Sequence, residues 1–227
     1  MNEMSRAVKG MSPNESSSSR FTSCTALVFY VLLGRAALYL IAAANYGYFR
    51  DELYYLACGE HPGWGYVDQP PLIGWVAWLL QHTIGTSLYA LRLLPMLAHA
   101  GTIVLTAVMA RDLGGKRWAM FLSSVSVLVA PIILSMTHLF TMNAFDFLLW
   151  TLLAWTLVRL IHSGNERLWL CLGLVMGVSL LNKYAIAFFA IGLFAGVLAT
   201  PLRRSLARPW FWGGMVLATI IALPNIL

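Results

Sequence analysis

Charged residues are scarce in this chain. Asp, Glu, Lys and Arg together make up 11% of its 227 residues, whereas soluble globular domains carry about 25%. Hydrophobic residues make up 59%, more than a water-soluble fold of this size can hide while covering its surface with polar groups. The shortage of charge therefore excludes a soluble enzyme and a disordered chain, and it indicates a polytopic membrane protein.

Cysteine is also rare. The chain has only Cys24, Cys58 and Cys171, and an odd number at these separations gives no disulfide framework. Their spacing fits no zinc motif. No metal site is predicted, although a divalent cation as cofactor is left open.

Long apolar runs fill most of the remaining sequence. Residues 1–20 are polar and predict a disordered cytoplasmic tail, and seven runs near the ~20 residues that a bilayer requires follow. These runs lie at about 21–46, 91–111, 118–137, 143–161, 168–182, 184–200 and 210–226. The first is longer than the apolar part of a signal peptide, which favours a retained span over a cleaved leader. The runs are continuous rather than alternating, so residues 21–227 predict an all-α transmembrane helix bundle of about seven spans.

The basic residues predict how this bundle is oriented. If the N-terminus is cytoplasmic, eleven of the 15 Lys and Arg residues fall on the cytoplasmic side, and only Arg50, Arg92 and Lys183 fall on the other. This bias predicts that the N-terminus is cytoplasmic. We expect a multi-pass protein of the cell inner (plasma) membrane, in contact with membrane lipids. The net charge of +6 then reflects cytoplasmic loops, and no nucleic-acid partner is predicted.

One long loop, at about 46–90, dominates the extracytoplasmic side. Short helices are predicted at about 51–60 and 72–81. The second carries Trp75 and Trp78, which is typical of a helix lying among lipid headgroups.

Two adjacent carboxylates, Asp51 and Glu52, directly follow the first span and are candidate catalytic residues. Asp51 has two interpretations: it stabilises the start of a helix, or it acts as a general base facing a cavity on the lipid side. In the second case Tyr54 and Tyr55 form the wall of the pocket.

Two further loop residues are candidate substrate contacts. His61 is a plain loop histidine, a metal ligand or a substrate contact. Asp68 precedes Gln-Pro-Pro, where it either orients the turn or contacts the substrate.

Three motifs in this order resemble the GT-C membrane glycosyltransferases. They are the pair Asp51-Glu52, the segment Gly-Tyr-Val-Asp-Gln-Pro-Pro-Leu at 65–72, and Leu-Arg-Leu-Leu-Pro at 91–95. The chain is most similar to the protein O-mannosyltransferase-like branch (glycosyltransferase family 39), to which lipid A aminoarabinose transferases are related. The resemblance covers about residues 45–200. Family members are usually longer, so we expect this chain to be an N-terminal portion, truncated at its C-terminus.

The resemblance implies a function and a set of site residues. It implies transfer of a sugar from a polyprenyl-phosphate donor to a protein, lipid or glycan acceptor on the extracytoplasmic (periplasmic) face. Asp51 matches the family's catalytic residue and Asp146 its second acid, although Phe145 stands where relatives often have proline. The family's Leu-x-Lys element matches Leu181-Asn182-Lys183.

The chemistry of such a transfer suggests a task for each charge. The leaving phosphate becomes more negative as its bond to the sugar breaks, and a fixed cation, Lys183 or Arg92, stabilises it. Asp51 accepts the proton of the acceptor, and Asp146 orients the acceptor or positions a cation. The alternatives are that Lys183 only reaches for the interface, that Arg92 anchors a span, and that Asp146 is a solvated cap.

Two other functions remain as alternatives. A transporter or flippase for a lipid-linked substrate also places acids in a helical bundle, but it predicts inverted repeats, which the sequence does not show. The other is a non-catalytic membrane scaffold.

Overall fold

The structure is a computed structural model, and it describes residues 24–226. The predicted disordered tail at residues 1–20 lies outside the described residues. Within residues 24–226 the chain forms α-helices and one 3-10 segment, Pro201–Ala207, and no strand. The helices are α1 Cys24–Ala42, α2 Arg50–Glu60, α3 Leu72–Thr83, α4 Leu88–Asp112, α5 Arg117–Val129, α6 Pro131–Met136, α7 Met142–Ser163, α8 Leu168–Asn182, α9 Ile186–Ala199 and α10 Pro209–Ile226.

Three of these helices, α1, α4 and α7, are long and apolar enough to cross a membrane. A fourth pass is formed if α9 and the 3-10 segment, which are bent by 100° relative to each other, count as one broken span. Helices α5 and α8 are apolar but shorter. The predicted all-α membrane bundle is therefore confirmed, whereas by length and composition three or four of the described helices, not seven, qualify as spans.

The run predicted at 118–137 is interrupted. Helix α5 ends at Val129, Ala130 is extended (ψ 115°), and α6 begins at Pro131. Proline has no N–H for a helical hydrogen bond and disfavours helical backbone in the residue before it. The break therefore follows from one residue inside an otherwise continuous apolar run.

The two predicted loop helices are present as α2 and α3, and they pack tightly against each other. A side chain at Gly59 would lie 2.8 Å from the backbone nitrogen of Trp78, so only glycine permits this approach. One buried cluster fixes both helices to the bundle. It consists of Tyr55, Ile73, Ala77, Leu80, Leu91 and Phe140.

Contacts between distant residues define two ends of the bundle. At the first, which we call the loop end, residues 43–87, 137–142 and 182–185 meet. Phe140 donates its amide hydrogen to Glu52 at 2.9 Å, and Asn182 donates to the carbonyl of Met142 at 3.0 Å. At the opposite end, formed by residues 113–116, 164–167 and 200–208, Arg208 lies 3.4 Å from Glu166. Lys183 therefore lies at the same end as the long loop.

Candidate functional site

A buried ion pair between α2 and α4 holds the loop end together. Arg92 donates from Nε to Oε1 of Glu52 at 3.0 Å and from Nη2 to Oε2 at 2.8 Å, and both side chains are almost completely buried. Its three remaining N–H groups donate to the carbonyls of Ala43, Tyr46 and Gly47. All five N–H groups of the guanidinium are therefore used within the protein.

Glu52 is saturated in the same way. Oε1 also accepts from the amide of Phe140 and Oε2 from that of Phe49, both at 2.9 Å. Burial by itself would raise the pKa of Glu52, but the hydrogen bonds from Arg92 and the two amides outweigh it and hold the pKa below its usual value. Glu52 therefore stays ionised at neutral pH.

This geometry gives Glu52 and Arg92 a different task from the one predicted. The sequence indicated Glu52 as catalytic and Arg92 as a ligand of the donor phosphate. Neither keeps a free donor or acceptor for a substrate, because a carboxylate has about four acceptor positions and a guanidinium five donors. Both serve here as a clamp that joins the long loop to α4 and to the segment before α7.

Asp51 is left with an accessible carboxylate. At the start of α2 the amide of Phe49 donates to the carboxylate of Glu52. Glu52, and not Asp51, therefore accepts the hydrogen bond at this helix end. Among the described residues Asp51 accepts one side-chain hydrogen bond, from Arg50 Nε at 3.2 Å. The two side chains are 37% and 88% exposed, and an ion pair this exposed contributes little.

Asp68 lies beside the tyrosines of α2, within electrostatic range of Tyr55, as Asp51 does. Tyr54 donates from its hydroxyl to Asp68 Oδ1 at 2.6 Å, and this bond raises the pKa of Tyr54. Burial, followed by the charges of Asp51 and Asp68, raises the pKa of Tyr55 to about 12. The two carboxylates therefore act on one buried phenol, which stays protonated.

A second polar group lies where α7 begins and α8 ends. Asn143, Asp146 and Trp150 are three and four residues apart, so they share one face of α7. Lys183 Nζ donates to Asn143 Oδ1 at 2.7 Å. The carboxylate of Asp146 lies beside Asn182 and Trp150 and within electrostatic range of Lys183. The structure thus brings together the predicted acid and the predicted cation.

Aromatic rings connect the two groups. The ring of Phe140 packs edge-on against Tyr55 at 6.3 Å and against Phe145 at 6.2 Å. Phe145 directly precedes Asp146, and Tyr55 lies one helical turn after Asp51 on α2. Phe145 thus has a packing role at this end.

Unsatisfied polar atoms concentrate at this end. Within the described part of the chain six buried side-chain atoms have no hydrogen-bond partner. The five at the loop end are His138 Nε2, Thr141 Oγ1, Asp146 Oδ1, Trp150 Nε1 and Asn182 Oδ1. Buried polar atoms are nearly always hydrogen-bonded, and three of these five belong to Asp146, Asn182 and Trp150, which lie beside one another.

His61 stands apart from these groups. Its side chain is exposed, and its backbone forms two hydrogen bonds: its N–H donates to the carbonyl of Cys58 at 3.2 Å, and its carbonyl accepts from the hydroxyl of Tyr66 at 3.3 Å. No group of three or more His, Cys, Asp or Glu side chains converges as metal ligands would, in residues 24–226. The chain segment that the structure describes therefore offers no evident cluster for the divalent cation that the sequence left open.

Sequence reasoning missed three members of the site: Asn143, Trp150 and Asn182. The signal was present, since Asn143 and Trp150 stand at helical spacing from Asp146 and Asn182 precedes Lys183. What could not be read was the pairing of α7 with α8, which brings Asn143 and Lys183 together across 40 residues.

Comparisons with known proteins agree with the resemblance found in the motifs. The family described as dolichyl-phosphate-mannose-protein mannosyltransferase matches residues 68–227. This range includes Asp68, Arg92, Asp146 and Lys183, and it begins after Asp51.

A curated relative is the lipid A galacturonosyltransferase RgtD of Rhizobium johnstonii. It is 28% identical over 183 residues, which is 79% of this chain and 38% of the relative. The chain thus spans well under half the length of that protein. No solved structure matches. Because the family match extends over more than half of the chain, and because the loop end gathers the acids and the lysine of the motifs, the protein belongs to the dolichyl-phosphate-mannose-protein mannosyltransferase family of GT-C membrane glycosyltransferases.

Proposed function

We propose that the protein transfers a sugar from a polyprenyl-phosphate donor to an acceptor, and that the transfer takes place at the loop end. The observation that carries the proposal is the division of labour between neighbouring carboxylates: Glu52 is used in the clamp, while Asp51 is accessible. Family membership supports the reaction class. The presence of Asp146 and Lys183 at the same end supports the location.

In this proposal Asp51 is the general base. Its carboxylate accepts the proton of an acceptor hydroxyl while the hydroxyl oxygen bonds to the anomeric carbon of the sugar. The bond between that carbon and the phosphate oxygen breaks, and both of its electrons leave with the lipid phosphate. The sugar carbon is positively charged in between, which a nearby carboxylate also stabilises.

Lys183 balances the charge of the leaving group. Its ammonium is partly buried, where a charge acts more strongly than in water. Asn143 holds Nζ in place through the bond of 2.7 Å. Asp146, whose Oδ1 has no partner among the described residues, is proposed to orient the acceptor or the sugar. Asp68 and Tyr54, which belong to the long loop, lie at the border of the proposed site.

The charge distribution supports an orientation. Arg111, Lys116, Arg117, Arg159 and Arg167 lie at or beside the opposite end, together with the basic residues of 203–208. Basic residues are retained on the cytoplasmic side of membrane proteins. We therefore infer that the loop end lies on the extracytoplasmic side of the inner membrane. The proposed reaction takes place on that side.

The acceptor is a protein, a lipid or a glycan. The name of the relative RgtD, a lipid A galacturonosyltransferase, favours a lipid acceptor. The family description, which names protein mannosylation, favours a protein.

The proposal is tested by sugar transfer in proteoliposomes containing the 227-residue chain. The donors are a labelled polyprenyl-phosphate sugar and, for comparison, the nucleotide-linked form of the same sugar. We expect transfer from the lipid donor alone. Asp51→Asn should lower its rate by about 100-fold or more, in the range that general bases contribute.

Glu60→Gln is the matched control. Glu60 lies on the same helix, is exposed, and lies outside both polar groups described above, so its rate should equal that of the wild type. Unchanged transfer in Asp51→Asn, or transfer from the nucleotide sugar, would overturn the proposal.

A further inference from the structure

An apolar groove of about 390 Å³ lies between α7 and α9. Its walls include Ile161 of α7 and Phe189 of α9. Gly192 and Gly196 leave the α9 side open, because a Cβ added at either of them would meet nothing within 4 Å. The volume lies within the range of small-molecule sites. None of the residues proposed above for sugar transfer lines this groove.

The chain turns sharply where the groove reaches the end of α9. Thr200 and Leu202 line it there, and the 3-10 segment Pro201–Ala207 is bent by 100° relative to α9. Helix α9 and this segment are apolar enough to count together as one broken span. A bend of this size therefore directs the 3-10 segment along the membrane surface, at the end opposite the loop end.

The 3-10 segment has an apolar side and a basic side. Leu202 packs against the buried cluster of the bundle, whereas Arg203 and Arg204 are exposed. Among the described residues no carboxylate forms an ion pair with either arginine, and Glu166, the acid nearby in this end, lies 3.4 Å from Arg208 instead. Two positive charges without a counter-charge thus directly follow the residues that line the end of the groove.

We propose that this groove binds an anionic phospholipid of the bilayer, with an acyl chain between α7 and α9 and the headgroup at Arg203 and Arg204. Charge complementarity selects this occupant, because basic residues at a membrane surface attract anionic headgroups. A helix from a second copy of the chain fits the same apolar walls. It would, however, bring the same two arginines to the same end of a symmetric pair, where like charges repel.

Binding is measured by native mass spectrometry on the 227-residue chain in a neutral detergent. The probes are phosphatidylglycerol and phosphatidylcholine with identical acyl chains. We expect phosphatidylglycerol to bind at least about tenfold more tightly, since each nearby arginine adds to the attraction for an anionic headgroup. The difference should shrink as the salt concentration rises.

Two double variants remove equal charge from the same end of the bundle. One combines Arg203→Gln with Arg204→Gln. The other combines Lys116→Gln with Arg117→Gln, two exposed residues at the start of α5, which does not line the groove. The first should bind phosphatidylglycerol at least about tenfold more weakly than the wild type, and the second should bind it as the wild type does. Equal losses would indicate attraction to the surface as a whole and would overturn the inference.

Gly196→Leu and Ala195→Leu test the groove itself. Gly196 lines it, and its neighbour Ala195 is exposed outside it. Gly196→Leu fills the groove without removing either arginine, and it should weaken binding of phosphatidylglycerol at least about tenfold. Ala195→Leu should leave binding unchanged.

Equal binding of the two phospholipids, or wild-type binding by Gly196→Leu, would overturn the inference. Light scattering of the lipid-free protein tests the other occupant: dimers that Gly196→Leu abolishes would place a second copy in the groove and would also overturn it. The assay involves no sugar and no acceptor, so its result is separate from that of the transfer assay.

Discussion

At the scale of single residues, neighbouring side chains of the same chemical type have different tasks. Asp51 and Glu52 are adjacent carboxylates, yet one is accessible and the other is buried in four hydrogen bonds. The sequence indicated both as catalytic because it cannot show which of two adjacent residues on α2 turns toward α4. The partner of Glu52 is 40 residues away.

The clamp makes a prediction for stability. Glu52→Gln leaves Arg92 as a buried charge without a counter-charge, and we expect a loss of about 3–5 kcal/mol in the free energy of unfolding. Thermal or denaturant unfolding in detergent micelles measures it. Glu60→Gln, an exposed substitution on the same helix, should change stability by less than about 0.5 kcal/mol. An equal effect of both variants would show that the clamp does not stabilise the fold.

The same residue predicts a pH dependence. The pKa of Glu52 is lower in the folded chain than its ordinary value of 4.5. Its contribution to stability is therefore fully present above pH 4.5 and is lost as the pH falls through the lower folded-state pKa. Glu52→Gln should remove this part of the acid-induced loss. If the variant and the wild type lose stability in parallel on acidification, Glu52 is not the group that titrates.

At the scale of helices, the sequence predicted the elements better than their interruptions. Both loop helices were predicted within two residues of their observed ends, because apolar spacing and the flanking Gly and Pro residues are local signals. The break at Pro131 was absorbed into the continuous apolar run at 118–137, whereas the 100° bend after α9 lies where the predicted run at 184–200 ends. Hydropathy averages over a window, so it does not resolve a single residue that interrupts a helix.

Small residues decide how closely α8 and α10 pack. A Cβ added at Gly173 would collide with the backbone of Gly214, whereas one added at Gly192 on α9 would meet nothing within 4 Å. Membrane helices use such small residues to approach closely. Gly173→Ala should therefore destabilise the protein by about 1–3 kcal/mol.

Gly192→Ala is the control for this change. It adds the same methyl group in open space, and it should be neutral or stabilising by up to about 1 kcal/mol, because alanine is the better helix former. Both variants are compared by thermal unfolding in the same detergent. A neutral Gly173→Ala would contradict the close packing of the two helices.

At the scale of the whole molecule, charges from distant parts of the chain gather at one end. The sequence predicted this gathering from the number of passes between Asp51, Asp146 and Lys183, and the structure places all three at the loop end. It did not predict the residues that hold these charged side chains in place. The contacts of Asn143, Asn182 and Phe140 depend on how α7, α8 and the loop pack together. The sequence therefore indicates which residues to consider, and packing decides which of them remain available.

We propose that Asp51 and Lys183 act on one transition state, the first on the acceptor and the second on the leaving phosphate. A double-mutant cycle of Asp51→Asn and Lys183→Ala, measured on the rate of sugar transfer, tests this proposal. Residues that act as a unit are strongly non-additive, so the double variant should transfer sugar about as slowly as the slower single variant. Losses that simply multiply, or a wild-type rate in Lys183→Ala, would contradict a shared site.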